Sequence, residues 1–248
     1  MRHSGSALLK RNMNPVFLTH HKCASNWLAT YLHEFCTLNQ LSFGCTGLSR
    51  TVPLGEIVLL ANASYRFVQE NGLAGYHVIR NPLSVLTSAY FSHLHSHPVE
   101  GWPELAAQRA LLLSVDRITG LYLTMAFIER PDFSDGSVGP FYGLRTWDYD
   151  NPDFVTLRME DMVRHPAVAL REALASVGIE NPILPRDQDF SFARFSNGRT
   201  NGEIDAASHY RSGSDDDWRE HLPSPVVDYV KSRFRTLMDR FYNDVEPV

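Results

Sequence analysis

Apolar residues come along this chain in short runs that alternate with longer stretches of helical period. Pro15-Val-Phe-Leu-Thr19 is one such run, too short for a helix, and it predicts a buried strand. A polar loop follows, and then Trp27, Leu28, Tyr31, Leu32 and Phe35 share one helical face. Residues 43–56 hold Gly44, Gly47, Pro53 and Gly55 and read as irregular surface chain. Ile57 to Leu60 is another short apolar run, and Tyr65 to Glu70 a short helix. Gly75 to Arg80 reads as a second strand. Asn81-Pro82 then starts a helix over Leu83 to Leu94, since proline suits a helix's first turn. Pro103-Glu104 opens a long helical stretch to Glu129, with Gly120 as its break point. Phe133 to Pro140 reads as a mobile loop, and Phe154 to Arg158 as a third strand followed by a helix over Ala167 to Val177. Residues 182–217 show little period, and an amphipathic helix from Pro225 to Phe241 closes the pattern.

Strands alternating with helices predict an α/β fold: a mostly parallel central sheet with helices on both faces. The 248 residues suit one large domain, 1–248, with residues 1–14 as a flexible N-terminal segment. In such folds ligands bind beyond the carboxyl ends of the strands, so the loops after Thr19, Ile79 and Arg158 are the places to look. Composition narrows the classes. Hydrophobic residues make up 44%, enough for a core with a covered sheet. A net charge of −5 argues against a nucleic-acid partner held by a general basic surface. Cys23, Cys36 and Cys45 show no CxxC spacing and suit a reducing compartment. No apolar run near the start is long enough for a signal core or a span, so the reading is a cytoplasmic protein without a membrane partner. The pattern carries no signal for an oligomer.

The first loop, His20-His-Lys-Cys-Ala-Ser-Asn-Trp27, can hold an anion. Its small residues admit the backbone, Ser25 and Asn26 can donate from the start of the helix, and Lys22 adds a point charge. A P-loop kinase would need glycines here and a Ser or Thr after the lysine, where this chain has Cys23. It would also need an acidic metal ligand at another strand end, where this chain has Arg80. ATP–magnesium chemistry is therefore disfavoured, and no metal is expected. Arg80 and Ser88 lie eight residues apart, so a phosphate bridging strand end and helix face could meet both. Taken singly, Lys22 could equally be a solvated loop residue and Arg80 the partner of a carboxylate.

Three stretches in register change that balance. Thr19-His-His-Lys-Cys-Ala-Ser-Asn-Trp27 resembles the 5′-phosphosulfate loop (TYPKSGTTW) of sulfotransferases that use 3′-phosphoadenosine 5′-phosphosulfate, PAPS. Val78 to Tyr90 is similar to that family's 3′-phosphate motif, and His209 to Trp218 to its R-K-G-x-x-G-D-W segment. The resemblance implies the sulfotransferase fold, with a P-loop-like strand–loop–helix phosphate site. It also implies sulfuryl transfer from PAPS to a hydroxyl or amine of a small-molecule acceptor, leaving 3′,5′-adenosine bisphosphate. In its terms Lys22 binds the bridging and 5′-phosphate oxygens and acts in catalysis. Cys23, Ala24, Ser25 and Asn26 line the 5′-phosphate, and Trp27 and Phe192 flank the adenine. Arg80, Ser88, Arg211, Ser212 and Gly213 hold the 3′-phosphate. Three positions depart from the family pattern: Ala24 for a glycine, Met159 for a tyrosine, and Ser212 for a lysine.

The family's usual base, a histidine some twenty residues before the strand-end arginine, is absent, since Glu56 to Asn62 contains none. On a regular helix His95 returns to the face of Ser88, which makes it the expected base, while His93 and His97 fall on a buried face. Glu34 on the first helix is the alternative. The three histidines also allow a metal reading, but alternate spacing suits a strand rather than a helix. Trp102, Phe127, Phe141, Tyr142, Trp147 and Tyr149 could line an acceptor pocket or simply be core. Without a base, a nucleotide-binding module that performs no turnover is the other reading.

Overall fold

Five parallel strands form the central sheet of the computed structural model, in the order β2-β3-β1-β4-β5. The structure describes residues 14–47, 51–175 and 181–243, so the segment before Asn14 and the end of the helix expected to reach Val177 lie outside the described residues. The strands are β1 (Val16–Thr19), β2 (Phe43–Thr46), β3 (Ile57–Ala61), β4 (Gly75–Ile79) and β5 (Phe154–Arg158). The helices are α1 (Ser25–Asn39), α2 (Tyr65–Glu70), α3 (Pro82–Phe91), α4 (Pro103–Leu112), α5 (Arg117–Ile128) and α6 (Pro140–Thr146). They continue as α7 (Met159–Arg164), α8 (Pro166–Ala175), α9 (Phe192–Phe195), α10 (Trp218–His221), α11 (Ser224–Arg233) and α12 (Arg235–Phe241).

Alternation along the strands feeds both faces. Phe17, Ile57, Leu59, Tyr76 and Val78 pack with α1 and α8, while Val16, Leu18, Val58 and Leu60 meet Val68, Trp147 and Phe154 on the other side. A third cluster joins α3, α5, α11 and α12 around Leu86, Met125, Val230 and Leu237. Because both faces are covered, the central strands β1 and β3 are nearly continuous apolar runs.

Four expectations change. Phe43–Thr46 is the edge strand β2, not irregular chain. The stretch from Pro103 breaks at Asp116, whose carboxylate accepts from the N–H groups of Ile118 and Thr119, and not at Gly120. Gly120 lies inside α5, where a Cβ would come 2.9 Å from Tyr90. The segment 133–140 is tied down rather than loose: Phe133 is buried, and the Val138 N–H donates to the Asn62 carbonyl. The last amphipathic stretch is two helices that meet at Phe234.

Candidate nucleotide and transfer site

β1 and β4 are neighbours, yet the chain leaves them in opposite directions, β1 toward β2 and β4 toward β5. That divergence opens a crevice at their carboxyl ends. A cavity of about 270 Å³ fills it, lined by the loop after β1, by Arg80 and Ser88, and by residues 209–217.

The first loop is wound by two residues in the left-handed region, Lys22 (φ 67°) and Ala24 (φ 60°). Ala24 occupies the cap position of the fifteen-residue α1 and offers no side-chain bond, so the first N–H groups stay free where Ser25 and Asn26 line the cavity. An alanine held there is strained by about 1 kcal/mol relative to glycine. Lys22 Nζ donates to Ser92 Oγ at 2.5 Å, and the Lys22 carbonyl accepts from Arg80 Nη1 at 3.0 Å, tying the loop after β1 to the end of β4. Burial, with Arg80 beside it, lowers the Lys22 ammonium to about 7. Arg80 Nε is buried with no hydrogen-bond partner among the described residues, a donor still available to a ligand. Ser88 is half-buried on the same wall.

Asn81 starts α3 by accepting from the Leu83 N–H at 3.0 Å, and its own N–H donates to Glu160, which also accepts from the Tyr242 hydroxyl. Burial raises the Glu160 carboxyl. The 209–217 segment closes the cavity. Arg211 pairs with Asp217 and lies 4.5 Å over the Phe91 ring, while Ser212 Oγ donates to Asp217 at 2.8 Å. Gly213 has φ 65°, and a Cβ there would come 2.5 Å from the Phe192 ring, so only glycine lets Phe192 sit in the cavity. Trp27 Nε1 donates to the Phe190 carbonyl at 2.9 Å, placing Trp27, Phe190, Phe192 and Phe195 along one aromatic wall.

The structure thus brings Lys22, Ala24, Ser25, Asn26, Trp27, Arg80, Ser88, Phe192, Arg211, Ser212 and Gly213 to one cavity. It does not bring Cys23, whose thiol is turned into the core; only its backbone serves the loop, the carbonyl accepting from Thr19 Oγ1. Burial pushes that thiol up to about 12, so it stays protonated. His95 is exposed and outside the cavity, and so is Glu34. The reason for the first is local: at Ser92 the helix widens into a π-helical turn, Ser92–Ser96, and the regular spacing that aligned His95 with Ser88 ends. Arg109 secures that turn through the carbonyls of His93 and His97, both at 2.6 Å. His93 is fully buried against Phe127, while His97 reaches the cavity. His93 and His21 meet at 3.0 Å between Nε2 atoms. Among the described residues no group of three or more His, Cys, Asp or Glu could hold a metal. Of the six aromatics, Phe141 packs on Phe234 and Trp147 on His77 as core, whereas Trp102 and Phe127 wall the histidine cluster.

Residues that sequence reasoning missed include Phe190, Phe195 and His209 on the cavity wall, and Arg199 behind it. Arg199 donates to the carbonyls of Glu203, Tyr210 and Arg211 and to Ser208 Oγ, and its guanidinium lies 5.4 Å from the Phe192 ring centre. It is the residue that shapes the closing segment. His209 had a signal, since it adjoins the Arg211 motif, but Arg199 had none.

Neither protein-family models nor curated protein sequences gave a match. Solved structures did. The chain is similar to mouse sulfotransferase SULT7A1 complexed with PAP, with a TM-score of 0.60 at 13% identity over 93% of this chain and 85% of that one. It is also similar to retinol dehydratase in complex with androsterone and the inactive cofactor PAP, with a TM-score of 0.52 at 12% identity over 93% and 83%. The fold is that of the sulfotransferases: an all-parallel five-stranded sheet with helices.

Proposed function

We propose that this cavity binds PAPS and passes its sulfuryl group to a hydroxyl or amine of a small molecule by in-line displacement. The observation that carries the reading is the joining of two anion-facing loops in one crevice: Lys22 and the open start of α1 on one side, Arg80 and Ser88 on the other. Two phosphate ends of one nucleotide would meet those two groups, with adenine against Trp27, Phe190 and Phe192. The buried Arg80 Nε suits a 3′-phosphate oxygen. Both solved neighbours contain PAP, and one contains androsterone, which supports a nucleotide of this kind and a small acceptor.

The chemistry asks little covalent work of the protein. As the acceptor atom bonds to sulfur, the bond from sulfur to the 5′-phosphate oxygen breaks, and charge gathers on that oxygen. Lys22, desolvated and held by Ser92, meets that charge as it forms, and the first N–H groups of α1 share it. A cytoplasmic setting suits the free thiols of Cys23, Cys36 and Cys45. Incubation with PAPS labelled in its sulfuryl group and a panel of phenols, alcohols and amines tests the proposal. Labelled product is expected, falling about 100-fold or more in Lys22→Ala. A protein that binds the bisphosphate yet transfers to no acceptor would instead be a binding module, and full activity in Lys22→Ala would remove Lys22 from the chemistry.

A further inference from the structure

We infer that His21 is the catalytic residue that takes the acceptor's proton, and that His93 is the residue that positions it. The inference rests on the sulfuryl-transfer reading and supplies the base which that reading lacks. His21 precedes Lys22 in the chain and lines the same cavity, so an acceptor in line with the leaving phosphate would lie within its reach. Its backbone N–H donates to Asn62 Oδ1 at 2.6 Å, which fixes the loop. Its ring is held by the 3.0 Å contact between its Nε2 and that of His93. One of the two must donate there. When His21 Nε2–H donates, its Nδ1 carries the free lone pair.

Access separates the candidates. The Nδ1 atoms of His20, His77, His93 and His97 are all buried without a partner, whereas that of His21 is not sealed in this way. His93 is wholly enclosed by Phe127, Trp102 and Phe133, and its carbonyl is bound by Arg109, so it can orient a neighbour but not meet a substrate. His97 reaches the cavity, but its ring is held by edge contacts with His21 and Trp102, and its Nδ1 is buried without a hydrogen bond among the described residues.

Charge favours a neutral base before reaction. Burial and the surrounding Lys22, His93, His97 and His209 hold His21 well below its ordinary value, so the imidazole is unprotonated near neutral pH. In the step, the acceptor O–H proton moves to His21 Nδ1 and the acceptor oxygen bonds to sulfur. The bond from sulfur to the bridging oxygen breaks, leaving its electron pair on the phosphate beside Lys22.

Acceptor acidity gives the test, because an already ionised acceptor needs no base. Transfer from PAPS is measured with phenol and with p-nitrophenol, which is largely ionised at mildly alkaline pH, for the unsubstituted protein, His21→Gln, His93→Gln and His95→Ala. The His21→Gln rate is expected to fall about 100-fold or more with phenol and far less with p-nitrophenol. His93→Gln should show a smaller loss of the same selectivity. Retained thermal stabilisation by 3′,5′-adenosine bisphosphate certifies a folded site, with His21→Asn as the second variant should Gln disrupt it. Equal losses with both phenols, no loss, or a loss in His95→Ala without one in His21→Gln would overturn the assignment. Failure of the unsubstituted protein to sulfate either phenol or any acceptor of the panel would instead overturn the parent reading.

Discussion

Acid should weaken this fold at the centre of its sheet, where His20 and His77 are fully buried with their Nε2 atoms 2.9 Å apart. His77 stacks on Trp147 at 3.8 Å between ring centres, and a Cβ at Gly143 would come 2.3 Å from the His20 ring. One ring donates and the other accepts, so a second proton would set two donors against each other. Burial lowers His20 from 6.5 to about 4 and moves His77 in the same direction. The folded pair therefore binds fewer protons than the unfolded chain below pH 6.5, and stability present above that value drains away as pH falls toward 4. For His20 alone, the loss at about pH 5 is roughly 2 kcal/mol. Urea unfolding at about pH 7.5 and about pH 5 reads this directly, comparing the natural protein with a His20→Asn/His77→Gln double variant whose amides cannot titrate. Other buried histidines contribute equally to both proteins and cancel in the difference. The variant should lose at least about 2 kcal/mol less than the natural protein over that interval. Equal losses would refute the reasoning.

Lys22, lowered to about 7 in the free protein, should gain a proton when a polyanion arrives, so bisphosphate binding just above neutral pH should take up protons. Calorimetry in buffers of different ionisation enthalpy measures that uptake, and Lys22→Met should abolish it. Ala24→Gly should stabilise the protein by about 0.5–1 kcal/mol by relieving the left-handed alanine, read as a raised urea midpoint. Arg80→Ala should cost about 2 kcal/mol of bisphosphate binding, near 30-fold, and much less of the binding of adenosine 5′-phosphate, as titration calorimetry would show. Arg199→Ala should loosen residues 203–211, seen as faster amide exchange there and weaker bisphosphate binding, while the sheet amides keep their protection.

Most of the sheet was legible because strands covered on both faces are mainly apolar: Val16–Thr19 and Ile57–Ala61 stand out as such runs, and Gly75–Ile79 does so apart from His77. β2 was not, since an edge strand with Gly44 and an exposed Cys45 carries no such run. That Lys22, Ser25, Asn26, Arg80 and Ser88 share one cavity was legible because they adjoin strand ends and keep fixed spacing. The aromatic wall was found only at Trp27 and Phe192, because Phe190 and Phe195 are set by tertiary packing in a stretch without period. His95 shows where spacing misleads: it assumes an unbroken helix, and the widened turn at Ser92 redirects every side chain beyond it. Ala24 shows the converse. A small side chain in the glycine's place is tolerable unless the position needs positive φ, and its backbone does adopt that conformation, at φ 60°.

The most direct measurement is titration calorimetry of the natural protein with 3′,5′-adenosine bisphosphate and, separately, with ATP and Mg²⁺. Tight, metal-independent binding of the bisphosphate, lost in a Lys22→Ala/Arg80→Ala variant that remains folded, is the predicted result. Preference for ATP with Mg²⁺, or bisphosphate binding untouched by removing both cations, would contradict it.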